Sequence, residues 1–152
     1  MSPYLTLFLG GTTGKSKWRD EIIPLLDREQ LLYFNPVVDD WNDAARKKEY
    51  QIKNSPNTVE LYVVTKEMEG VFSIAEAVDA SNKKPNQIIF MIQREGIKKP
   101  QLKSLEATEE LLKNNGAIIA KNLKDIVRIF KSMELGYRAK RVSVLARREK
   151  LS

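Results

Sequence analysis

Two segments sixty residues apart carry the residues best suited to chemistry. The first is Leu7-Phe8-Leu9-Gly10-Gly11-Thr12-Thr13-Gly14, an apolar run that breaks into glycines. The second is Gly70-Val71-Phe72-Ser73-Ile74-Ala75-Glu76-Ala77, where one acid sits in an otherwise apolar stretch after a turn. Glycines after a strand let the backbone approach a ligand closely. An ionised carboxylate near a helix start is favoured by the helix dipole and can act as a nucleophile. Glu76 is therefore the candidate catalytic residue, against the plainer reading of an ordinary exposed helix acid.

Composition narrows the chemistry further. The chain has no cysteine and no histidine. That excludes thiol nucleophiles, disulfides, thiolate or HExxH zinc sites and Ser-His-Asp triads. Acid–base and nucleophilic work falls to Asp, Glu, Tyr, Lys, Ser or Thr, and no cofactor is expected. Gly10 to Ser16 (GGTTGKS) imitates a phosphate-binding P-loop, but that pattern needs a glycine where Leu9 stands. What survives is a Gly/Thr turn before a helix, able to offer N–H groups to an anion, or simply a tight turn.

A third segment is Asn35-Pro36-Val37-Val38-Asp39-Asp40-Trp41. Asp39 and Asp40 could accept hydrogen bonds from a base or sugar, with Trp41 stacking on the ring. The competing reading is a helix entry, with Asp40 or Asn42 as cap and Trp41 as hydrophobic staple.

Positioning these segments requires an alternating chain. Strands are expected at Tyr4–Leu9, Leu31–Asn35, Thr58–Thr65, Gln87–Ile92 and Ala117–Ala120. Helices are expected at Ser16–Glu29, Ala44–Lys53, Phe72–Asn82, Leu102–Asn114 and from a cap at Asn122 to about Met133. Ser16 reads as an N-cap, and Pro24 as a kink or break in the first helix. Apolar strands without polar alternation indicate burial on both faces. The fold class is thus α/β: a doubly wound, mainly parallel five-stranded sheet with helices on both faces, Rossmann- or flavodoxin-like. Ligands then bind outside the carboxyl ends of the strands, where the Gly10, Asn35 and Thr65 loops should converge, bringing Gly11, Asp40 and Glu76 round one pocket.

At 152 residues one domain is expected, residues 1–136, followed by a basic tail, 137–152. Residues 121–152 hold ten Lys/Arg against three Asp/Glu, whereas the rest is nearly neutral. Nucleic-acid binding by the body is therefore not expected. The tail interleaves Val142, Val144, Leu145 and Leu151 with its cations, which suits contact with another subunit. A solvated, frayed end is the alternative. No apolar run reaches the roughly 20 residues of a membrane span, and no signal peptide is evident. A cytoplasmic protein without membrane partners is the expectation.

Taken together, Phe8-Leu9-Gly10-Gly11-Thr12 with Trp18-Arg19, then Asn35 to Trp41, then Leu61-Tyr62-Val63-Val64 with Gly70 to Glu76, resemble the nucleoside 2-deoxyribosyltransferase superfamily. That superfamily also includes 2'-deoxynucleoside 5'-phosphate N-hydrolases. The resemblance spans about the first 95 residues and is closest to short single-domain members. It implies a doubly wound fold and a homo-oligomer in which a neighbouring subunit completes the site. It implies that Glu76 attacks the anomeric carbon of a (deoxy)nucleoside or nucleotide. Gly10, Gly11 and Thr12 would line the sugar site together with Trp18, and Ser73 would lie beside the sugar or its 5' substituent. Glu60 stands where members usually carry an Asp, and Glu49 lies near the position of an acid that handles the base. A non-catalytic module holding a nucleotide or ribosyl ligand in the same crevice is the alternative. A nucleic-acid-associated protein acting through the tail is a third reading.

Overall fold

The computed structural model describes residues 2–151. Five parallel strands alternate with five helices. They are β1 (Thr6–Gly11), α1 (Trp18–Arg28), β2 (Leu32–Phe34), α2 (Asp43–Lys53), β3 (Thr58–Val64), α3 (Phe72–Lys83), β4 (Ile88–Ile92), α4 (Lys99–Asn114), β5 (Ile118–Ile119) and α5 (Leu123–Leu151). The strand order is β2-β1-β3-β4-β5. Every residue of β3 and of β4 is buried, as expected for strands covered on both faces.

Alternation along the strands sorts the core into two layers. Leu7, Leu9, Leu61, Val63, Ile89 and Met91 pack with Trp18, Ile22 and Leu26 of α1 and Ile126 and Phe130 of α5. Tyr62, Val64, Ile88, Phe90 and Ile92 pack with Ala77 and Ala80 of α3 and Leu105 and Leu112 of α4. The odd member is α2, none of whose residues is buried. Its attachment is polar, a point that matters below.

Order 2-1-3-4-5 reverses the direction of winding between β1 and β3, so a crevice opens where their carboxyl ends diverge. In register, Gly11 at the end of β1 faces Val63.

Several local expectations need correction. Ser16 does not cap α1: Lys17 precedes the helix without a side-chain cap bond, and the Ser16 hydroxyl lies 3.1 Å from that of Thr65. Pro24 does not divide α1, which runs through it as a single helix. Helix α4 starts three residues before Leu102, because Pro100 suits a first helical turn. Helix α5 does not stop at Met133. It passes through Gly136 and continues to Leu151, so the basic residues ride on a helix rather than a frayed end. Asn122 does cap α5, accepting the N–H of Asp125 at 2.8 Å.

The root of α5 anchors the other end of the chain. Glu134, 4% exposed, accepts the N–H of Leu5 at 2.7 Å, and the Tyr137 hydroxyl donates to the Ser2 carbonyl at 2.9 Å. Val142, Val144, Leu145 and Leu151 beyond it are exposed. No helix among the described residues is long and apolar enough to cross a membrane.

Candidate functional site

The first wall of the site is the turn after β1. A Cβ on Gly10 would meet the Tyr62 ring at 2.7 Å, and one on Gly11 would meet the Val63 carbonyl oxygen at 2.2 Å. Only glycine fits so close to β3. Arg19, 6% exposed, then gathers the turn's carbonyls: Nε donates to Leu9 at 3.0 Å, Nη1 to Thr12 at 2.7 Å and Nη2 to Gly11 at 3.3 Å. Burial pulls its pKa down to about 10, so it stays charged near neutrality. Its guanidinium lies 4.3 Å from the centroid of the Trp18 ring.

Trp18 itself is part of this support and not of the ligand surface. It is 1% exposed, and its indole N–H donates to the Thr12 carbonyl at 2.9 Å. It lines none of the cavities that Glu76 borders, which corrects the expectation that it faces a ligand there. The Thr12 hydroxyl is likewise engaged, accepting the Thr65 N–H at 3.0 Å. An i+1 spacing cannot reveal this. A tryptophan beside a glycine turn reads the same whether it points up to a ligand or down into the core.

The second wall is α3. Ala77, Ala80 and Ser81 face the core, while Val71 and Phe72 at its start are 71% and 74% exposed. Glu76 lies in the second helical turn, its side chain 18% exposed and ion-paired with Lys53 of α2. The helix dipole was the expected source of charge stabilisation. Lys53 is nearer and carries a full charge. Sequence reasoning missed Lys53, since nothing local marks it except that Glu49 precedes it by four residues, which puts both on one face of α2. Glu49 is only half-buried, yet its carboxyl is pushed above the usual carboxylate range. Partial burial is the largest cause, the charge of Glu76 adds to it, and Lys53 opposes it.

Among the described residues, three cavities border Glu76: one, of about 520 Å³, lies between α2 and α3 and is lined by Lys53, Glu60 and Lys84 with Glu76, and the remaining two flank the glycine turn. Of these two, one, of about 630 Å³, lies between the glycine turn and α3, with Thr12, Gly14, Lys15, Ser73 and Glu76 among its walls. The other, of about 330 Å³, is bounded by Gly10, Pro36, Val38, Trp41, Glu49 and Glu76. Gly11 borders both. The Gly10, Asn35 and Thr65 loops thus share one edge of the sheet, as the strand order requires. Asp39 and Asp40 line none of the three and are exposed, so the expected pocket of Gly11, Asp40 and Glu76 forms without Asp40. The reason is the helix entry: Asn42 accepts the Ala45 N–H at 2.9 Å as the cap of α2, and Asp40 sits beside Asn42 at 3.5 Å. Trp41, 56% exposed, stays at the mouth.

Comparisons with family models, with curated protein sequences and with solved structures return no match to this chain.

Glu60 lines the cavity between α2 and α3 together with Lys53 and Glu76, and neither of the two beside the glycine turn. It is 4% exposed, accepts the Tyr62 hydroxyl at 2.7 Å and pairs with Lys84 at 3.3 Å. Burial, then the charge and hydrogen bond of Glu60, push the Tyr62 phenol far above its ordinary value, so it remains a neutral donor. Lys84→Met should leave the Glu60 carboxylate buried without its cation. A loss of about 3 kcal/mol in stability is expected by urea denaturation. A loss below about 1 kcal/mol would mean that water takes the place of the ammonium.

Proposed function

We propose that this chain cleaves or transfers at the N-glycosidic bond of a (deoxy)nucleoside or nucleotide through a covalent glycosyl–Glu76 intermediate. One observation carries the reading: Glu76 borders both the cavity beside the glycine turn and the slot of Pro36, Val38 and Trp41. A sugar with its 5' substituent suits the glycine-turn side, beside Ser73 and Lys15. A flat base suits the slot of Pro36, Val38 and Trp41. The bond between sugar and base then falls over the carboxylate.

Glu49 supplies the complementary group. N-glycosidic cleavage passes through an oxocarbenium-like state, as glycoside hydrolysis does. A carboxyl whose environment raises its pKa is suited to act as the acid beside a carboxylate nucleophile. In this reading Glu76, held by Lys53, attacks the anomeric carbon, and Glu49, raised by burial and by Glu76, delivers a proton to the departing base. The resemblance to the nucleoside 2-deoxyribosyltransferase superfamily supports the same assignment of Glu76.

The pH dependence follows with a definite sign. Glu49 must be protonated for base release, so the rate falls as pH rises through its raised pKa. Glu49→Gln should remove this alkaline limb and lower the rate by about 10²- to 10⁴-fold, less with bases that leave readily. An unchanged limb would assign the acid elsewhere.

A homo-oligomer belongs to this proposal. Truncation after Gly136 removes the exposed apolar residues of α5 and should weaken self-association in analytical ultracentrifugation. An unchanged sedimentation profile would separate the tail from assembly.

The direct test is incubation with a panel of deoxynucleosides and deoxynucleotides, with and without a second free base, followed by chromatography. Release or exchange of base is expected. Saturable binding without any product would instead favour the non-catalytic module.

A further inference from the structure

We propose that Lys53 changes partner during the reaction, holding Glu76 as the nucleophile in the first half and Glu49 as the base in the second. The inference rests on the glycosyl-transfer reading and concerns how its two steps are driven by one pair of carboxyls.

Helix α2 makes this exchange feasible. It buries no side chain, so its seat on the sheet is polar. The Thr58 hydroxyl donates to the Ile52 carbonyl at 2.6 Å, and Lys84 Nζ donates to the Lys53 carbonyl at 2.6 Å. Both bonds fix the last turn of α2, whose carbonyls lack helical donors. The backbone of Lys53 is thereby pinned, and from that fixed point its flexible four-carbon side chain reaches Glu76. Glu49 sits one turn back on the same face and borders the same slot as Glu76.

The charges facing Lys53 come from three elements. Glu49 is on α2 itself, Glu76 on α3, and Glu60 on β3 is paired with Lys84 at 3.3 Å. Tyr62 of β3 donates to Glu60 and stays neutral. The Phe8 ring of β1, 5.6 Å from Lys53 Nζ, gives the ammonium an apolar floor. Asp79 and Lys83 of α3 line the same cavity and pair with each other at 2.9 Å, so with Glu60 committed to Lys84 the carboxyls left to Lys53 are Glu49 and Glu76.

The chemistry decides which it takes. In the first step a Glu76 oxygen bonds to the anomeric carbon. The C–N bond breaks with its electron pair going to the base, which takes the proton of Glu49. Glu76 is now a neutral ester and Glu49 an anion, so the Coulomb preference of Lys53 reverses. In the second step the ionised Glu49 takes a proton from water, or from the incoming base N–H, as that nucleophile bonds to the anomeric carbon. The C–O bond to Glu76 breaks and its pair restores the carboxylate. The raised pKa of Glu49 fits the start of this cycle, since the charge of Glu76 is one of its causes and vanishes in the ester.

Two measurements on the full chain test the exchange. Rapid-quench kinetics on Lys53→Met should show both the burst of released base and the steady rate slowed, each by at least about tenfold, because Glu76 loses its cation in the first step and Glu49 in the second. Lys53→Arg, which keeps the charge, should restore the steady rate. Carboxyl NMR should show Glu49 titrating at lower pH after wild type is trapped with a 2-fluoro sugar analogue, and that displacement should be smaller in Lys53→Met, where only the loss of the Glu76 charge remains. Circular dichroism of each variant checks the fold. Slowing of one step alone, or a trapping displacement of the same size in Lys53→Met, would overturn the exchange while leaving the glycosyl-transfer reading intact. A wild type that releases no base from any nucleoside would overturn the reading itself.

Discussion

Glu76→Gln should abolish base release while the fold and ligand binding persist. The amide keeps the size of the side chain and can still accept a hydrogen bond from Lys53, so the α2–α3 contact survives. What it loses is the charge. A neutral amide is a very poor nucleophile at an anomeric carbon, and removal of a nucleophile costs on the order of 10⁴-fold or more. Wild type treated with a 2-fluoro sugar analogue should gain a covalent adduct that peptide mapping assigns to Glu76. Full activity in Glu76→Gln would sink the covalent mechanism, even for a protein that proved to be a glycosidase.

Gly11→Ala should be the most damaging single methyl group in the chain. Gly11 has φ +117°, a conformation that side-chain-bearing residues rarely adopt. The added Cβ would also lie 2.2 Å from the Val63 carbonyl oxygen and 2.5 Å from the Val63 nitrogen. Both neighbours are backbone, in the strand that pairs with β1 at the middle of the sheet, so no rotamer change relieves the contact. The two strands must part just where the site is built. A loss of about 4 kcal/mol or more is expected, against a total stability of about 5–15 kcal/mol. Gly14→Ala is the control: Gly14 has φ +70° but no atom within 4 Å of the added Cβ. It should cost only about 1–2 kcal/mol, the ordinary penalty of a left-handed residue. Equal losses in the two variants, measured by urea denaturation, would show that conformation alone sets the requirement at Gly11.

Sequence and structure part company where contacts are long-range. The apolar runs Leu61-Tyr62-Val63-Val64 and Ile88–Ile92 made the parallel sheet legible, because burial on both faces leaves no polar alternation. The glycine turn was legible for a similar reason, since the close approach it permits is a property of residue type. The length of α5 was not. Gly136 and the cations beyond it suggested a domain end, yet helical hydrogen bonds are local and the chain can extend a helix past its last core contact at little cost.

At the site the division is sharper. The residues themselves determined that any nucleophile must be an oxygen or an amine, since neither cysteine nor histidine is present. They also fixed the strand–helix alternation that carries Gly11 and Glu76 to one edge of the sheet. Tertiary structure decided the rest. Trp18 and Arg19 turn inward to hold the carbonyls of the glycine turn, and Asp40 turns outward at a helix entry capped by Asn42. Lys53 reaches Glu76 across twenty-three positions of sequence. Such pairings depend on which helix faces meet over the sheet. No spacing along a single chain encodes that meeting, because it is set by the packing of β3 and its flanking helices as a whole.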